Sequence, residues 1–187
     1  QKILPPTQSH YLLKKISKMN SKNLIETTQL YVKQKMAGDG SGHDWWHIYR
    51  VWSISKKLAE KEDADQTTTE LAALLHDIAD WKFNDGDETA GPRKAADWLS
   101  KNNADVKLIE QVCEIIATLS YKGAGVATPM KTIEGQVVQD ADRLDAIGAL
   151  GIARTFAYGG SKNRLIYHPE EPPVMHESFE HYKANKG

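Results

Sequence analysis

Leu71-Ala-Ala-Leu-Leu-His-Asp-Ile-Ala-Asp80 is an apolar run interrupted by one imidazole and two carboxylates. Leu71, Leu74, Leu75 and Ile78 recur at the spacing of one helix face, so the stretch reads as an amphipathic helix that Thr68 or Thr69 would cap. His76 and Asp77 fall beside that stripe, where packing favours apolar side chains and an unpaired carboxylate is costly. A cation would offset the cost. Successive helical residues point about 100° apart, so both groups reach one ion only if it lies close against the helix shoulder. Asp80 then stands one turn beyond Asp77.

The flanking sequence extends the helical reading. Apolar periodicity predicts helices over 21–36, 45–60, 90–101, 104–119 and, as one long element, 133–158, with a short helical piece near 176–183. Glycine-rich or polar turns separate them at 38–42, 62–66, 84–88 and 121–125, and prolines mark a loop around 169–173. No segment alternates with period two and no heptad persists. The expected fold is therefore all-α, a single bundle of crossing helices. Residues 1–18 precede Met19 with little pattern and are expected to be a disordered extension or tag remnant, leaving 19–187 as the domain.

Composition narrows the function. A chain of 187 residues suits one domain, and a net charge of -1 provides no broad positive field for extended nucleic acid. Cys113 is the single cysteine, so no intrachain disulfide forms, and a reduced thiol fits a cytoplasmic protein. No apolar run reaches membrane-spanning length and no signal-peptide pattern is present, so no membrane association is expected.

His47 begins a helix beside the glycine-rich 38–42 turn, and Asp142 interrupts the apolar pattern of the 133–158 segment. Taken singly, each has an ordinary reading: His47 as a partly buried histidine beside Trp45, Trp46 and Trp52, Asp142 as a salt-bridge partner of Arg143 or Arg50. Taken with His76 and Asp77, they offer two imidazoles and two carboxylates, a mixed shell that holds one divalent metal ion with positions left for water and a phosphate. Manganese, magnesium, cobalt, nickel, iron and zinc all suit such donors. Asp44 reads as a helix cap just ahead of His47.

Three segments carry a family resemblance: Gly42-His-Asp-Trp-Trp-His-Ile-Tyr-Arg-Val51, Leu75-His-Asp-Ile-Ala-Asp-Trp-Lys-Phe83, and Val138-Gln-Asp-Ala-Asp-Arg-Leu-Asp-Ala-Ile-Gly148. Together they closely resemble the HD-domain phosphohydrolase superfamily, over about residues 20 to 183. The narrower likeness is to bacterial members related to nucleoside triphosphate pyrophosphohydrolases. The resemblance implies His47, His76, Asp77 and Asp142 as the metal ligands, Asp142 being favoured over its rival Asp140 by the Arg-Leu that follows. Ala79-Asp80 replaces the Gly-Lys of the two-metal cyclic-dinucleotide branch, and Leu119-Ser-Tyr-Lys-Gly123 has no extra histidine, so one metal is expected.

The same resemblance implies a small phosphorylated metabolite as substrate, above all a nucleotide, with diphosphate release as the narrow activity. A nucleoside 5′-monophosphate phosphatase and a non-catalytic nucleotide-binding module are the alternatives. Asp80 is the expected general base. Arg50 and Lys82 are candidate phosphate-binding groups in catalysis, and Lys122 and Arg154 candidate substrate contacts, each set against a plain ion pair. The five tryptophans are candidates either for core packing or for stacking on a base. A homodimer through an apolar surface patch is compatible with the sequence.

Overall fold

The computed structural model describes residues 6–80, 84, 86–123, 125–170, 175 and 177–184, with side chains described between Asn20 and Lys183. Among these residues the chain forms eight α-helices and no strand, as the absence of period-two patterning predicts. They are α1 (Pro6–Lys35), α2 (Trp45–Lys61), α3 (Gln66–Leu75), α4 (Ala90–Lys101), α5 (Val106–Leu119), α6 (Ile133–Asp145), α7 (Gly148–Ser161) and α8 (Phe179–Ala184). None of the described helices is long and apolar enough to cross a membrane.

The core is built around α3. Leu71, Ala72, Ala73, Leu74 and Leu75 are fully buried, so the second half of this short helix is enclosed on every side, and α3 packs against α1, α2, α5 and α6. Val32 of α1, Ile48, Val51 and Trp52 of α2, Val112 and Ile116 of α5, and Val138 of α6 close around it. Each such aliphatic side chain stabilises the fold by roughly 1.5–3 kcal/mol relative to exposure. The C-terminal end of α3 therefore emerges inside the bundle, between α2 and α6.

Four boundaries differ from the sequence reading. The helix expected to start near residue 21 begins at Pro6. The cap of α3 is Asp65, whose carboxylate accepts from Thr68 N at 2.7 Å, while Thr68 and Thr69 are buried in the first turn. The α3 helix stops at Leu75 rather than carrying His76 and Asp77 within it, and Ile78 N donates to Leu75 O at 3.1 Å in a tighter terminal turn. The single helix expected over 133–158 is two. It breaks at Ala146-Ile147, where Ile147 is extended at φ -115 and ψ 167 and Gly148 takes φ +66. That left-handed conformation favours glycine, which has no Cβ to clash with the following carbonyl.

Candidate metal centre and the adjoining cavity

Three helices aim side chains at one point. Asp44 caps α2 by accepting from His47 N at 2.9 Å, as its position in the sequence suggests, which fixes His47 in the first turn. The turn ending α3 presents His76 and Asp77, and α6 presents Asp142 from the opposite side. His47 Nε2 lies 3.1 Å from His76 Nε2, 3.3 Å from Asp77 Oδ2 and 3.4 Å from Asp142 Oδ1. His76 Nε2 lies 3.5 Å from the same Asp77 oxygen and 3.8 Å from that of Asp142. Metal–ligand bonds of about 2.1 Å set neighbouring donors about 3.0 Å apart in an octahedron and about 3.4 Å apart in a tetrahedron, so His47, His76 and Asp142 are spaced to share one ion, with Asp77 at the edge of the two imidazoles. Asp140 is exposed on α6, and the carboxylate that reaches the cluster is that of Asp142.

The hydrogen bonds behind the cluster give an independent test. His76 Nδ1 donates to Ala73 O at 2.8 Å, an oxygen that can only accept, which leaves Nε2 presenting its lone pair inward. His47 Nδ1 donates to Asp145 Oδ2 at 2.8 Å, so its Nε2 faces inward as well. Two imidazole lone pairs 3.1 Å apart, flanked by two carboxylate oxygens, repel one another unless a cation lies between them. A divalent ion meets that need, and without one a proton must. Burial lowers the basicity of His47, but its contacts with Asp145 and Asp77 outweigh burial and raise its pKa from 6.5 to about 9. Asp77 shows the complement: burial raises its pKa, yet the charges of His76 and His47 and the His47 hydrogen bond hold it well below the usual carboxylate range.

Asp145 is the site residue that the sequence reading passed over. It is buried at the end of α6, where it also accepts from Arg50 Nε at 2.6 Å and Arg50 Nη2 at 3.0 Å. Burial raises its pKa, and the hydrogen bonds from His47 and Arg50 overcome that and keep it ionised far below its ordinary range. Arg154 of α7 reaches the same carboxylate at 3.2 Å and donates from Nε to Gly42 O at 2.8 Å. A carboxylate behind a metal-ligating histidine fixes its tautomer and raises its basicity. The spacing of Asp142 and Asp145, one turn apart on the same face, is the signal that could have found it.

The other expected residues fall as follows. Asp80 offers a carboxylate oxygen within 4.8 Å of ligand atoms of both Asp77 and His43. Arg50 is engaged with Asp145. Lys122 lies 3.9 Å from Glu88. Lys82 lies outside the described residues, as does Trp81. Trp45 and Trp52 are buried in the core, and Trp98 stacks on Tyr31 with ring centroids 3.8 Å apart. Trp46 is exposed.

Beside the cluster opens a cavity of about 520 Å³. His43 and Arg154 form the shared wall, since both line the cavity and both touch the cluster or its supporting carboxylate. The described lining includes a second arginine, Arg164, four tyrosine or phenylalanine rings and no carboxylate. None of the described tryptophans borders it, so the base-stacking alternative for those residues is not realised in this cavity.

The match to the HD domain family and the likeness to HD-superfamily hydrolases make the protein a metal-dependent phosphohydrolase. Residues 45–147, which carry all four converging side chains, match the HD domain family, and the chain belongs to that family. The Bacillus subtilis (strain 168) protein YpgQ is 39% identical over 157 residues, covering 81% of this chain and 74% of its own. The crystal structure of YpgQ in complex with ADP superposes with a TM-score of 0.65 at 34% identity, covering 81% of this chain and 73% of that one. A crystal structure from Lactobacillus plantarum gives a TM-score of 0.75 at 37% identity, over 88% of this chain and 76% of that one. An HD-superfamily hydrolase from Bacillus thuringiensis is 45% identical with a TM-score of 0.61, over 82% of this chain and 73% of that one.

Proposed function

We propose that this protein hydrolyses nucleoside triphosphates to nucleoside monophosphate and diphosphate. One observation carries the reading: a cluster of two imidazoles and neighbouring carboxylates adjoins a cavity whose charged lining, among the described residues, is Arg154 and Arg164. The complex of YpgQ with ADP supports a nucleotide as the ligand. His47, His76, Asp77 and Asp142 would hold a divalent ion, which when bound polarises a phosphate oxygen and acidifies a water.

The remaining work falls to the chain's own groups. Asp80, close to Asp77 and His43, is positioned to orient the attacking water and take its proton as the bond between the α-phosphorus and its bridging oxygen breaks. Arg154, held by Gly42 O and Asp145, places a fixed positive charge at the cavity wall for the phosphate chain. Arg50 acts one step back, as a bidentate clamp on Asp145.

The test is a product-resolved assay of metal-stripped protein, re-supplied separately with manganese, magnesium, cobalt and nickel. Metal-dependent monophosphate plus diphosphate from triphosphates is the expected result. Free phosphate from nucleoside monophosphates would replace this reading with a phosphatase, and binding without turnover would replace it with a nucleotide-binding module.

A further inference from the structure

The cavity beside the cluster has two kinds of wall. Its His43 and Arg154 side touches the candidate metal centre and suits phosphates. The Tyr158 ring stands on that side, with the His43 ring edge at 5.9 Å and the Arg164 guanidinium at 5.6 Å, much as the Arg143 guanidinium lies 5.7 Å from the Tyr121 ring. The other aromatic wall comes from distant parts of the chain: Tyr121, in the loop after α5, and Tyr182 of α8 meet edge to face with centroids 5.7 Å apart. Neither belongs to the apolar core.

That wall is held from behind. Phe179 lies nearly parallel to Tyr182 at 6.5 Å, and Lys122 and Lys183 stand over Phe179 at 4.9 Å and 4.2 Å. Glu88, ahead of α4, pairs with both lysines. A six-residue helix is too short to be stable alone. Its docking is specified by these contacts, and the result is an aromatic face on a cavity large enough for a nucleotide.

The geometry points to the Tyr121–Tyr182 pair as the subsite for the substrate's nucleobase, with the triphosphate directed past Arg154 and His43 toward the metal centre. This rests on the nucleotide reading above and adds the residues that recognise the base. Stacking on tyrosine is tolerant, because every base has a π-face, so the subsite favours nucleotides over bare polyphosphate without strong selection among bases.

The experiment titrates ATP and inorganic tripolyphosphate separately onto the manganese-loaded protein, in wild type, Tyr182→Ala and Tyr182→Phe, with ATP hydrolysis followed in parallel. Tyr182→Ala should weaken ATP binding about tenfold and leave tripolyphosphate binding within about twofold, while Tyr182→Phe, which keeps the ring, should restore ATP binding. Equal weakening of both ligands would overturn the proposal by showing a structural role for Tyr182, and unchanged ATP binding would overturn it directly. ATP binding that depends on Tyr182 in a protein that does not hydrolyse ATP would support the subsite and refute the enzymatic reading. Hydrolysis to AMP and diphosphate with no dependence on Tyr182 would do the reverse.

Discussion

Asp145 carries three interactions on one buried carboxylate, and its substitution separates metal binding from simple packing. In Asp145→Asn the side chain keeps its shape, but the charge that orders His47 Nδ1 is gone. Metal affinity should fall about 10–100-fold, the usual effect of losing such an outer partner, as read by equilibrium dialysis. Asp80→Asn should behave oppositely, retaining the ion while losing about 100-fold or more in turnover, because it removes a proton acceptor and none of the four expected ligands. Equal metal loss in both variants would contradict the separate roles. The four expected ligands were legible from residue type, spacing and resemblance; His47, His76 and Asp142 offer ligand atoms within 4.8 Å of one another, and Asp77 Oδ2 lies 3.3 Å from His47 Nε2. The partners that orient them were not, because an ion pair such as Arg50 with Asp145 joins positions 95 residues apart with no local mark at either end.

At the level of elements, the decisive feature is the break between α6 and α7. In one continuous helix Asp145 and Arg154 would be about 13 Å apart along the axis and on opposite faces, out of reach of one another. The break folds α7 back so that Arg154 meets Asp145 at 3.2 Å. Gly151 allows the close approach: a Cβ there would lie 2.2 Å from Ala146 O, a backbone atom that cannot swing aside. Gly151→Ala should therefore destabilise the protein by roughly 1–3 kcal/mol, lowering the thermal midpoint by several degrees. An unchanged midpoint would mean that α7 is not packed as described. Periodicity missed this break because Ala, Ile, Leu and Gly continue an apolar helical pattern, whereas the turn depends on the positive φ of Gly148. The end of α3 was missed for the same reason, since Leu71 to Ile78 keep the helical spacing beyond the point where the α-helix stops. The α4 bounds, by contrast, were read correctly from its strongly amphipathic pattern between polar turns.

Across the whole molecule, folding, protons and metal are linked through His47. Without metal, its pKa of about 9 lies above the unfolded value of 6.5, so the stabilisation is complete below pH 6.5 and disappears as pH rises through 9. The shift corresponds to at most about 3 kcal/mol. Metal must displace that proton, so its affinity should rise with pH over the same range. Thermal unfolding with a chelator should show a lower midpoint at pH 8.5 than at pH 6.5, and the gain on adding metal should be larger at pH 8.5. The opposite trend would exclude His47 as the linked group. The all-helical architecture was legible as a set of apolar periodicities, but the cavity was not, since residues 43, 121, 154 and 182 meet only through long-range packing. In the proposed function one divalent ion held by His47, His76, Asp77 and Asp142 enables hydrolysis, and metal content per chain measured alongside AMP and diphosphate formation, in wild type and Asp77→Ala, tests this without intermediate assumptions. About one ion per reconstituted wild-type chain with metal-dependent product is expected, and loss of both in Asp77→Ala. Full metal binding in Asp77→Ala, or wild-type turnover that survives complete removal of metal, would contradict it.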